Sequence, residues 1–253
     1  MTTRNQIKER YKRLTETVGE AAERSGRKPA HIITVAVTKT ASTEQIRHLL
    51  ELGHQDLGEN RVQHLQQRAA MLDEFLARHR IMTSGRRAEL PPTVRWHMIG
   101  HLQRNKTKLI LPLVKLIHSV DSLRLAEEIQ TQAAKLDREV DVLIQVNASG
   151  EPSKFGVALP AAPHLAEQMG TMLHVRVRGL MTMAPYADDA EASRPSFERT
   201  AELFTEMQTS GIFGREFNIL SMGMSNDYGV AIACGANMIR VGRALFGEGE
   251  GEE

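Results

Sequence analysis

HIITVAVTK, residues 31–39, is apolar and largely β-branched until it ends in a Thr-Lys pair. A continuous apolar run of this kind marks a strand covered on both faces, as in parallel sheets flanked by helices. Just beyond it, Ser42 or Thr43 can cap a helix carrying Ile46, Leu49 and Leu50, because a hydroxyl there accepts from otherwise unpaired first-turn amides. The stretch therefore opens a strand-helix unit.

Toward the N-terminus, Ile7, Tyr11, Leu14 and Val18 recur at helical spacing, and Gly26 with Pro29 closes that extra first helix. Toward the C-terminus the alternation repeats. His54-Leu57 precedes a helix over 60–77, Val94-Ile99 a short helical turn, and Leu116-Ser119 a helix from Ser122 to Lys135. Val140-Asn147 precedes a helix at 160–169, Val175-Leu180 a helix at 190–209, and Phe217-Leu220 a helix at 226–234; Met238-Val241 is the eighth strand. Eight strands separated by helices favour a closed parallel (β/α)8 TIM barrel, with an open doubly wound Rossmann sheet as the alternative. No linker divides the chain, so residues 1–247 are expected to form one barrel domain. Arg78-Pro92 reads as an exposed loop and 248–253 as a disordered tail.

The 253 residues suffice for one large core. With 32 basic and 31 acidic residues, the formal charge of +1 provides no bulk field to collect nucleic acid or anionic membrane. The single cysteine, Cys234, excludes an intrachain disulfide and a cysteine-based metal cluster, which suits a cytoplasmic address. The charged N-terminus is not expected to be a signal peptide, and no segment approaches the roughly 18 apolar residues of a membrane span. No heptad pattern or long apolar surface stripe argues for a partner subunit.

A parallel barrel works at the carboxyl ends of its strands. Lys39 follows the first strand directly, where desolvation is expected to lower its pKa and make the amine nucleophilic. After the seventh strand, Ser221, Gly223, Met224 and Ser225 form a small-residue loop entering a helix, a cradle of backbone N–H groups suited to a phosphate. Gly242, after the eighth strand, lets backbone approach the same anion, and Arg243 adds a cation. Arg240 lies inside the apolar run Met238-Val241, where an unpaired charge is costly, so a ligand partner is expected for it.

The motifs VAVTKT (35–40), GENRVQ (58–63), WHMIGHLQRNK (96–106), SKFG (153–156), RGLMTM (178–183), LSMGMSND (220–227) and IRVGRALFG (239–247) together resemble the YggS/PROSC family of pyridoxal phosphate homeostasis proteins. That family is itself similar to the barrel domain of alanine racemase. The resemblance implies pyridoxal 5′-phosphate (PLP) as cofactor, a Schiff base on Lys39, phosphate held by the Ser221–Ser225 loop and Gly242, and Arg240 facing the pyridine nitrogen. It further implies that Asn60, His97 and Met181 line the pocket, that Lys154 is a second amine acceptor, and that the chain is a monomer. Ala41 stands where many relatives carry a second lysine, His101 and Arg104 alter the turn after the third strand, and the 78–94 loop is long.

An alanine racemase needs a second base, commonly a tyrosine from another domain, and this chain has only Tyr11, Tyr186 and Tyr228. The expected role is therefore a non-catalytic PLP carrier that buffers the cofactor and delivers it to PLP-dependent apo-enzymes. A low-activity racemase and a cofactor-free phosphate-sugar enzyme using Lys39 are the alternatives. No metal site is expected.

Overall fold

A computed structural model describes residues 3–82, 90–151, 154–211 and 213–247. The strands are β1 (Ile33–Val37), β2 (Asp56–Glu59), β3 (Arg95–Met98), β4 (Val114–Val120), β5 (Val140–Asn147), the short β6 (Val157–Ala158), β7 (Val175–Thr182), β8 (Ile219–Ser221) and β9 (Met238–Val241). All pairings are parallel, in the order β4-β3-β2-β1-β9-β8-β7-β5, and β4 pairs with β5 to close the ring. Closure leaves eight strands paired on both sides, while β6 only adds to β5. The closed barrel, and not the open sheet, is the fold.

Helix α1 (Thr3–Arg24) precedes the barrel; α2 (Thr43–Glu51), α3 (Val62–Met82), α4 (Thr107–Ile110), α5 (Leu123–Lys135), α6 (Ala162–Gly170), α7 (Arg194–Thr209), α8 (Tyr228–Ala233) and α9 (Arg243–Phe246) follow the strands. Ile7, Leu14, Val18 and Ala22 are the buried face of α1. Arg27 ties the end of that helix to α8 by donating to the carbonyls of Gly235 at 3.0 Å and Ala236 at 2.8 Å. The large apolar cluster lies between the strands and the helices. A second cluster of Val35, Leu116, Leu143, Met181 and Met238 fills the barrel's interior, as the bulky inward side chains of small barrels do.

Ser42, not Thr43, caps α2: its hydroxyl accepts from the Gln45 amide at 3.2 Å and the Gln45 side chain accepts from the Ser42 amide at 2.8 Å. This capping box satisfies two first-turn donors and fixes where the chain leaves β1. Of the boundaries that depart from expectation, two have a local cause. β2 runs from Asp56 to Glu59 rather than from His54, since the His54 ring hydrogen-bonds the Asp56 carbonyl at 3.0 Å across the entry turn. The expected loop at Arg78-Pro92 begins later, because α3 continues to Met82, with Arg78 paired to Glu74 one turn back and His79 and Arg80 at the negative end of the helix dipole. The rest of that loop at 83–89, Ser153 of the SKFG motif and the 248–253 tail lie outside the described residues.

Candidate active face and cofactor pocket

Two opposing features meet at Lys39: a clamped backbone and a free side chain. Beyond β1, the Ala41 amide donates to the Thr38 carbonyl at 2.9 Å, forming a turn with Lys39 inside it. Arg68 of α3 donates to the Thr38 carbonyl and, at 3.0 Å, to the Ala41 carbonyl; it also pairs with Glu59 at 3.3 Å. Glu59 is fully buried and accepts from the Thr38 hydroxyl at 2.5 Å. Lys39 itself is exposed. That corrects the expectation of a desolvated amine: the strand carries the lysine past the apolar interior and into solvent at the mouth.

Across the β1–β9 seam, Ala36 pairs with Val241, which sets Gly242 against Val37, two residues before Lys39. A Cβ on Gly242 would lie 3.3 Å from the Val37 carbonyl oxygen, so only glycine fits this approach comfortably. The amides of Gly242 and Ala244 both donate to one oxygen, Ser225 Oγ, each at 3.3 Å. The loop bearing Ser225 is shaped by Asp227, whose carboxylate accepts from the Met224 amide at 2.6 Å and from the Ser193 hydroxyl at 3.1 Å. Gly223 turns the chain at φ +95, and a Cβ there would meet Ala231 Cβ at 2.6 Å. Met224 is exposed at the loop's surface.

Beneath this loop sits Arg240, whose guanidinium donates to Ser221 Oγ at 2.7 Å and to the Thr182 carbonyl at 2.8 Å. Among the described residues no carboxylate reaches ion-pair distance of it. Complete burial brings its pKa down to about 10, with Asp227 opposing. Ser221 is thus turned into the barrel toward Arg240 instead of into the loop that follows it.

The remaining expected pocket residues divide. Asn60, beyond β2, has a buried Oδ1 without a hydrogen-bond partner. Lys154 is ion-paired with Glu151 at 3.3 Å. Met181 belongs to the enclosed inner layer, one level below the mouth. His97 also faces inward: its Nε2 lies 3.1 Å from Asp56 Oδ1 and its Nδ1 2.9 Å from His118 Nε2, while His118 Nδ1 lies 3.1 Å from Ser221 Oγ. It looks toward the amino end because Asp56 begins β2 and holds the ring there, which corrects the reading of His97 as a mouth residue.

Asp56 and His118 make this interior acid-sensitive. Burial alone would raise the Asp56 carboxyl, but hydrogen bonds from His97 and Arg95 outweigh it and hold its pKa at about 2, against an ordinary 3.8. Burial pushes His118 well below its ordinary 6.5, and positive charge on neighbouring His97 or Arg240 opposes its protonation further. Both native pKa values are depressed, so both stabilising contributions are present above the unfolded values and lost as pH falls. Resistance to urea is expected to fall below pH 6.5 and again between about pH 4 and 2, where Asp56 contributes about 2 kcal/mol. The difference between wild type and Asp56→Asn isolates the second step; parallel curves across that window would contradict it.

The comparisons with known proteins bear on this carboxyl face. The family model for the alanine racemase N-terminal domain matches residues 10–250. The pyridoxal phosphate homeostasis protein of Aquifex aeolicus is 39% identical over 244 residues, covering 95% of this chain and 97% of that protein. This chain belongs to the pyridoxal phosphate homeostasis protein family. Among solved structures, a protein of unknown function from Bifidobacterium adolescentis aligns with a TM-score of 0.85 at 32% identity, covering 96% of both chains. PipY of Synechococcus elongatus PCC7942, solved with PLP bound, aligns with a TM-score of 0.74 at 31% identity over 91% of this chain and 100% of that one. Within the family's fold, three positions that motif reading did not single out structure the face, since Glu59 and Arg68 clamp the lysine turn and His118 joins His97 to Ser221, while Asp227, read only as part of the helix start, shapes the glycine loop. A histidine directly after the apolar pair Leu116-Ile117 of β4 was the available signal for His118.

Proposed function

We propose that this chain binds PLP at the carboxyl end of its barrel and acts in intracellular PLP homeostasis as a non-catalytic carrier. The observation that carries the reading is the convergence of three unlike groups at one end of the β1–β9–β8 seam. Among the described residues these are an exposed, unpaired amine at Lys39, paired backbone donors at Gly242 and Ala244, and a buried guanidinium at Arg240 without a counter-ion. PLP needs all three, since it presents an aldehyde, a phosphate and a ring nitrogen. Ser225 Oγ already draws the two amides to a single oxygen, and the unpartnered Asn60 Oδ1 supplies a further polar contact. The residues present therefore fit the group.

In this reading Lys39 presents the amine, the Gly223–Ser225 loop and Gly242 hold the phosphate, and Arg240 meets the ring. PLP supplies an aldehyde that condenses reversibly with amines, which makes unguarded PLP reactive and a protected reservoir useful. An arginine against the ring nitrogen leaves it unprotonated and weakens the cofactor as an electron sink, which suits holding more than turnover. The names of the relatives support homeostasis as the role. Transfer to PLP-dependent apo-enzymes, a monomeric state and a cytoplasmic address complete the proposal; the last accords with one cysteine and near-neutral charge. No helix among the described residues is long and apolar enough to cross a membrane.

The test is the visible spectrum of PLP-loaded protein, then borohydride reduction and peptide mass mapping. A yellow protein labelled at Lys39 is expected, with no exchange of amino-acid α-protons into solvent above that given by free PLP. A colourless, unlabelled protein would overturn the cofactor reading, and faster exchange would replace the carrier with a racemase.

A further inference from the structure

The hydrogen bonds crossing the barrel interior run in one direction. A guanidinium only donates, so Arg240 Nη1 gives its proton to Ser221 Oγ at 2.7 Å, and the serine hydroxyl proton is left for His118 Nδ1 at 3.1 Å. His118 then carries its ring proton on Nε2, 2.9 Å from His97 Nδ1, and His97 carries its own on Nε2, 3.1 Å from Asp56 Oδ1. A carboxylate only accepts. With both histidines neutral this is the one assignment that satisfies every contact; its reverse sets the His97 lone pair against the carboxylate. Burial of the His118 ring favours the neutral form.

The two ends of this chain lie at opposite ends of the barrel. Asp56 lines a cavity of about 290 Å³ at the amino end, with Tyr11, His54 and Arg95, whereas Ser221 ends β8 at the carboxyl end. Arg95 pairs with Asp56 at 2.5 Å, and Asp227 is the acid whose charge acts directly on Arg240. Between them His97, His118, Ser221 and Arg240 are all buried. Aligned hydrogen bonds in a low-dielectric interior polarise one another, so a charge at one end is felt at the other.

We infer that Asp56, His97, His118 and Ser221 form a positioning relay for Arg240. The carboxylate at the amino end holds the guanidinium in orientation and tunes its donor strength toward a ring nitrogen bound at the carboxyl end. This rests on the proposed PLP reading of the pocket. It gives the amino end of the barrel a part in ligand binding, although that end of the fold is otherwise concerned with stability.

Nitrogen-15 NMR of histidine-labelled protein without PLP tests the relay itself. Wild type is expected to show His97 and His118 as neutral Nε2–H tautomers, with a scalar coupling between His97 Nδ1 and His118 Nε2. Asp56→Asn, nearly isosteric, is expected to move the His118 nitrogens, while Arg178→Gln on the outer face leaves them in place. A protonated His118, the opposite tautomer or an unmoved His118 overturns the relay, and the wild-type measurements stand whether or not a variant folds. Titration with PLP, followed in the visible, reads the coupling. Asp56→Asn is expected to lose about fivefold in affinity, equivalent to about 1 kcal/mol. Unchanged affinity overturns the positioning role. Wild type that takes up no PLP overturns the reading of the pocket, and the NMR result then reports on the barrel alone.

Discussion

Lys39→Ala is expected to lose all borohydride-stable PLP label while retaining weaker, reversible binding. The lysine side chain is exposed and makes no contact that the turn depends on, since Arg68 and Glu59 grip the backbone on either side of it. Truncation should therefore leave the fold, the Gly242 and Ala244 donors and Arg240 intact. Affinity is expected to fall about 100-fold, or about 2.7 kcal/mol. Mass mapping after reduction decides the assignment. A variant that is still labelled would move the reactive amine elsewhere, and Lys154, which pairs with Glu151, would be mapped next.

Arg240→Met is expected to separate stability from binding, with opposite signs. The native guanidinium is buried on two hydrogen bonds without a carboxylate partner, a state in which desolvation outweighs what the protein returns. A methionine of similar length removes the charge and leaves Ser221 hydrogen-bonded to His118. Chemical unfolding without PLP should show a gain of about 1 kcal/mol, reduced from larger values by the donor lost at the Thr182 carbonyl. PLP affinity should fall about 10- to 100-fold, as expected for a charge-assisted hydrogen bond. Loss of stability together with affinity would mean that Arg240 is structural, and the pocket would lose its ring anchor.

The barrel was legible because its evidence is local and repeated. Most strands contain an apolar run, most helices an amphipathic pattern, and the order of the two leaves few topologies. Lys39, Arg240 and Gly242 were legible for the same reason, as they stand at or beside strand ends. The interior relay was not. His97 and His118 are 21 residues apart, Asp56 and His97 41, and His118 and Ser221 103, so closure of the ring alone brings them together. WHMIG displays a histidine without saying which end of the strand it faces; that direction is set by Asp56 on the neighbouring strand. The clamp on the Lys39 turn was hidden likewise, because Arg68 reads as one more charged position on a polar helix until α3 packs beside β2.

The clamped turn and the glycine loop sit on different segments of the ring. Arg68 and Glu59 secure the lysine from β2 and α3, whereas Asp227 and Ser225 organise the anion donors from β8 and α8. In the proposed carrier role this arrangement amounts to two independent latches. Opening the chemical latch leaves cargo still docked, and loosening the ionic latch leaves it still tethered. Discharge then needs both events to coincide, so retention can last long even when each latch alone opens quickly, and a recipient hastens delivery by engaging either one.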